Sequence, residues 1–139
     1  MDLVSPRAMI KADITKMPFG DNTYDVFLCS HVLEHVVEDI KAMEELFRIL
    51  KPGGWGTIQI PFAPSQEKTI EGHTLPEKEK VRLFGHPKHV RAYGKDFVKR
   101  LESVGFQVKA YNYSKELGDT AIKKYRLLPT HYIFHCEKL

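Results

Sequence analysis

Two short stretches of this sequence gather the side chains able to exchange protons or bind a metal. His31, Glu34 and His35 stand in SHVLEHV, beside Ser30, and His86 and His89 stand in FGHPKHVRAYG. Imidazole changes charge near neutral pH and is the commonest protein ligand for transition metals. His31 and His35 are four residues apart, so on a helical turn they would share a face and could ligate a metal that His86 and His89 complete. The glutamate of HVLEH is misplaced for the zinc-hydrolase pattern H-E-x-x-H. The favoured reading is hydrogen-bonded histidines around a cleft, with no metal.

The surrounding elements explain why such residues would meet a ligand. Residues 24–29 (YDVFLC) form a short apolar, β-prone run, read as a strand buried on both faces. From Val36 the apolar residues Ile40, Met43, Phe47 and Leu50 follow steps of four and three, which predicts an amphipathic helix with Glu44 and Arg48 as a four-apart ion pair. Pro52-Gly53-Gly54 is expected to stop that helix. Residues 55–60 are the next strand, with Trp55 in the core. Strand, helix and strand make a βαβ unit, and Ser30, His31, Glu34 and His35 fall at the carboxyl end of its first strand, where open α/β sheets bind ligands. Upstream, residues 9–13 are a plausible strand ending in Asp13, and residues 14–22 a loop. Downstream, residues 61–91 hold four prolines and mixed charges, an excursion with helical turns over residues 76–84. A helix over 95–104 closed by Gly105, a half-buried strand over 106–111, a short helix near 120–125 and a last strand over 130–137 complete a mixed sheet.

At 139 residues the chain is one domain, and 42% hydrophobic with 28% charged residues is ordinary globular composition. A formal net charge of +3, with the signs intermixed, argues against nucleic acid as a partner. Cys29 and Cys136 lie in apolar strand contexts and read as reduced core thiols. No run reaches the length of a membrane span and no signal peptide opens the sequence, so the cytoplasm is the expected location.

The ordered set of Ala12-Asp13-Ile14, Met17-Pro18-Phe19, DNTYDV at 21–26, HVLEHV at 31–36 and ELFRILKPGG at 45–54 resembles the class I S-adenosylmethionine-dependent methyltransferases of the methyltransferase-domain family. FGHPKHVRAYG and the Gly105-Phe106 turn extend the resemblance over nearly the whole chain. It implies a Rossmann-like α/β sheet, mostly parallel with an antiparallel C-terminal strand, in the family order 3-2-1-4-5-7-6. It implies S-adenosylmethionine as cofactor, S-adenosylhomocysteine as product and a small-molecule methyl acceptor, with residues 61–93 an insertion on the acceptor side of a single domain spanning 1–139. Asp2 corresponds to the acid that binds the ribose, and Asp13 with the Ile14 amide would meet the adenine. Phe19 would wall that pocket, and Ser30 and His31 would meet the methionyl part. His31, His35 and His89, with Glu34 and His86 beside them, are the candidates for acceptor binding or proton removal. The family's Gly-rich turn has no counterpart in this sequence, so the chain reads as truncated before the second strand. A non-catalytic remnant serving as a structural or interaction domain is therefore the competing reading. Loss of the neighbouring strands would bare the edge of the 24–29 strand. The expectation is a homodimer across that edge, or residues 9–13 sliding in to pair with it.

Overall fold

The computed structural model describes residues 4–128 and 130–139. In chain order the elements are β1 (Tyr24–Ser30), a 3-10 turn (Leu33–His35), α1 (Asp39–Ile49), β2 (Leu50–Gln59), β3 (Ile70–Glu71) and α2 (Glu77–Phe84). There follow β4 (Arg91–Ala92), α3 (Phe97–Ser103), β5 (Gln107–Tyr111), α4 (Tyr113–Tyr125) and β6 (Ile133–Glu137). Four strands form one sheet in the order β1-β2-β6-β5, and β3 and β4 form a separate antiparallel pair. β1 and β2 are parallel, while β6 lies antiparallel between β2 and β5. Three strands thus share a direction and the C-terminal one opposes them. The order is the 4-5-7-6 portion of the arrangement that the resemblance implied, and the Rossmann-like mixed α/β class stands.

The period-two alternation of strands sets where the core sits. Phe27 and Cys29 of β1, Ile58 of β2, and Phe134 and Cys136 of β6 turn to one face, which α1 and α3 cover with Ala42, Met43, Leu46, Phe97 and Leu101. Gly56 lets the Phe27 ring lie across β2, because a Cβ there would come within 2.4 Å of it. Both cysteines are free and buried, and burial pushes each thiol up to about 12.

Several expectations need correction. β1 is covered on one face only: Val26 is 42% and Leu28 77% exposed. An all-apolar run reads as doubly buried, but among the described residues no layer covers that second face. Trp55 lies on the same open face, 40% exposed and tilted against His135. Residues 9–13 form no strand and do not pair with β1 among the described residues; Asp13 makes only an isolated bridge to Lys16. Pro52-Gly53-Gly54 does not close α1. The helix ends at Ile49, and the three residues form a bulge inside β2, where the register jumps from Tyr24↔Leu50 to Val26↔Trp55. Gly53 takes a φ of 76° there, and its N–H donates to the Lys138 carbonyl at 2.7 Å. The expected Glu44–Arg48 pair is replaced by Glu45–Arg48 at 2.6 Å. α4 is longer than predicted because Asn112 caps its start by accepting from the Lys115 N–H, and it kinks at Gly118.

Candidate functional site

A cleft of about 830 Å³ runs along β1 and past its carboxyl end. Asp13, Ile14, Met17 and Phe19 line one side, and His31, His35 and Lys88 line the other. That volume is within the range of small-molecule sites, about 300–1,000 Å³.

The first side belongs to a loop, and a loop needs an anchor to hold a wall in place. The anchor is Arg48 on α1. Its guanidinium donates to the Phe19 carbonyl at 2.7 Å and the Met17 carbonyl at 3.2 Å, and pairs with Asp21 at 2.8 Å and Glu45 at 2.6 Å. Glu45 completes the clasp by accepting from the Met17 N–H at 2.6 Å. These bonds, the arginine's first, hold the Glu45 carboxyl below its ordinary range. Phe19 packs edge-on against Tyr24 at 5.1 Å between centroids. Asp13 turns the chain by accepting from the Thr15 N–H and hydroxyl, both at 2.8 Å, through Oδ1. Those bonds lower its pKa, the backbone one most, and Oδ2 has no partner among the described residues.

The second side is the turn after β1. His31 adopts a φ of 53°, a left-handed conformation that swings the chain out of the sheet into the 3-10 turn. Its N–H is already donated to the Gln59 carbonyl at 2.8 Å, which leaves its own carbonyl and its ring for a ligand. The ring Nδ1 stands 3.2 Å from Glu34 Oε1. Glu34 is fully buried, and its Oε2 has no hydrogen-bond partner. Since the carboxylate can only accept, it orients the imidazole with Nδ1–H inward and Nε2 toward the cleft.

A 3-10 turn leaves carbonyls unpaired. Arg91, buried on β4, satisfies them: it donates to the carbonyls of Leu33 (3.1 Å), Val36 and Val37 (2.8 Å) and pairs with Glu71 at 2.9 Å. Tyr93 donates to Asp39 at 2.9 Å, and Arg100 grips the same carboxylate and Glu71 at 2.8 and 3.0 Å. The Val90 N–H donates to the Glu34 carbonyl at 2.8 Å, so residues 90–93 are stitched along the turn. This brings His86 and His89 beside His35, with ring centroids 4.8 to 5.7 Å apart. Burial, then the neighbouring His35 and His86, lowers the pKa of His89 against the opposing pull of the Phe84 carbonyl.

The structure thus brings Asp13, Ile14, Phe19, His31 and His35 to one cleft, with His86 and His89 against His35 at its rim. Ser30 does not line it: its hydroxyl is 3.1 Å from Gln59 Oε1. Asp2 lies outside the described residues. Sequence reasoning missed Lys88 and the positioning roles of Arg48, Arg91, Asp39 and Arg100. Their signal was present: a buried arginine is rare unless paired, and Arg91 sits in an apolar context between Val90 and Ala92.

A profile described as "Methyltransferase domain" matches residues 3–58. The demethylmenaquinone methyltransferase of Paenarthrobacter aurescens is 49% identical over 45 residues, which are 32% of this chain and 18% of that protein. The ubiquinone/menaquinone biosynthesis C-methyltransferase UbiE of Idiomarina loihiensis is 42% identical over a stretch with the same shares, 32% and 18%. The chain therefore matches under a fifth of these relatives' length. Among solved structures, an S-adenosylmethionine-dependent methyltransferase of Mesorhizobium loti superposes with a TM-score of 0.64 at 16% identity, covering 96% of this chain and 72% of that one. The [4+2]-cyclase SpnF gives 0.61 at 15% identity, covering 93% and 56%. At such identities the superpositions speak for the fold alone. Fold and matched segment agree with the ordered motifs of the sequence: residues 3–58 are similar to the methyltransferase domain, and the described residues as a whole take the Rossmann-like fold of the superposed methyltransferases.

Proposed function

We propose that the chain serves S-adenosylmethionine-dependent methyl transfer to a small-molecule acceptor, with the cleft along β1 holding both. The observation that carries this is the facing of two unlike walls. One presents an ionised carboxylate and an aromatic ring, and the other a histidine oriented by a buried glutamate. The adenine end of the cofactor fits the first wall. Asp13 keeps one oxygen uncommitted for an exocyclic amine, which is a donor, and Phe19 offers a flat apolar face. When bound, S-adenosylmethionine supplies an electrophilic methyl group on a sulfonium.

The chain's own residues then have two tasks. The anchored loop and turn hold the reactants in line, which is most of what a direct displacement requires. His31 Nε2 takes the proton where the acceptor must lose one, and Glu34 stabilises the imidazolium that results. The matched relatives are named for the methylation of demethylmenaquinone and for ubiquinone and menaquinone synthesis, which supports a small organic acceptor on the side of residues 61–93.

Calorimetric titration with S-adenosylhomocysteine tests the reading. Saturable heat that Asp13→Ala weakens is the expected result. Absence of heat at high micromolar ligand would overturn it.

A further inference from the structure

We propose that His35, His86 and His89 form a binding site for one divalent transition-metal ion, zinc being the best suited, at the rim of the cleft. The site does not depend on the methyl-transfer reading. Three observations carry it. First, the fold gathers a donor set from two distant segments: one ligand atom from each of the three residues lies within 4.8 Å of the others. Two nitrogen ligands of a tetrahedral zinc, each about 2.0–2.1 Å from the ion, stand roughly 3.3 Å apart, so closure needs only small side-chain movements.

Second, two of the rings are already held as metal-binding histidines are held. His35 Nδ1–H donates to the Lys88 carbonyl at 3.1 Å, and His89 Nδ1–H donates to the Phe84 carbonyl at 3.0 Å. Each backbone acceptor fixes the tautomer and leaves Nε2 with a free lone pair. His86 differs: its Nδ1 accepts from the Lys88 N–H at 3.1 Å. It is the ligand that must exchange a hydrogen bond for the metal.

Third, none of the three Nε2 atoms has a hydrogen-bond partner among the described residues. Three imidazoles and no carboxylate in the set select zinc, cobalt, nickel or copper over magnesium and calcium. Three protein ligands leave a fourth position open. Because His35 also lines the cleft, an ion held by the three rings would stand beside it, with water free to take the fourth position. The ion would also pin the turn after β1 to the loop after α2.

The test uses untagged protein stripped with a chelator. Titration with Co2+ is expected to give the visible absorption of a tetrahedral centre at one equivalent per chain, displaced by Zn2+. Excess Zn2+ is expected to raise the unfolding temperature. His35→Ala and His89→Ala should each weaken binding at least about tenfold, whereas His73→Ala, outside the cluster, should not. Circular dichroism verifies that the variants fold, and the wild-type titration stands without them. No bound metal at micromolar free Zn2+, or unchanged binding by the doubly substituted H35A/H89A chain, would overturn the proposal.

Discussion

At the scale of single residues, the pairing of His31 with Glu34 makes a sharp demand. His31→Asn keeps a polar group at the cleft but removes the proton acceptor. For acceptors that must lose a proton, turnover should fall by about 10²–10⁴, while S-adenosylhomocysteine affinity measured by calorimetry stays near wild type. Equal loss of both would assign His31 to binding instead. Glu45 makes a demand of another kind. Its native pKa lies below the 4.5 of the free group, so the folded state favours the ionised form. The stability it contributes is complete above the unfolded value and drains away as pH falls through the native one. Glu45→Gln should accordingly be less stable than wild type at neutral pH, with the gap closing below about pH 4.5; urea midpoints measured between pH 3 and 7 decide this.

At the scale of elements, the cleft depends on two arginines that reach across the fold. Arg91 is nearly inaccessible and serves three backbone carbonyls and two acids at once. Arg91→Ala strands those partners in the interior and should cost about 3–5 kcal/mol in urea unfolding. A cost under 1 kcal/mol would show that the turn after β1 does not rely on it. The elements also show what a sequence can reveal. α1, α3, β5 and β6 fall where their apolar spacing put them, because that spacing is local. The fate of Pro52-Gly53-Gly54 is not local: the bulge exists because Lys138, at the far end of the chain, pairs with Gly53 and Gly54. Trp55 went astray for the same reason, since strand spacing marks which residues share a face but not which face is covered. His31, His35 and Asp13 were legible through their place at strand ends and in family-like motifs. The apolar flanks of Arg91 marked it as buried, but its partners were not legible, because three are backbone carbonyls and the two acids, Asp39 and Glu71, come from other elements.

At the scale of the molecule, β1 is the outermost strand of the sheet and presents Val26 and Leu28 uncovered. A bare strand edge flanked by apolar side chains pairs readily with another chain. Pairing of β1 with a second copy would show as a concentration-dependent dimer in sedimentation, dispersed by Leu28→Lys. A strictly monomeric wild type with unchanged sedimentation of the variant would refute it. No helix among the described residues is long and apolar enough to cross a membrane.

Much of the grip of Arg48 and Arg91 falls on main-chain oxygens: those of Met17, Phe19, Leu33, Val36 and Val37. Every amino acid carries that oxygen. The clamps therefore fix where the backbone runs without dictating which side chains it bears. Positions 19 and 36, which line the cleft, can be exchanged together, reshaping it for a different ligand while the frame around it stays put.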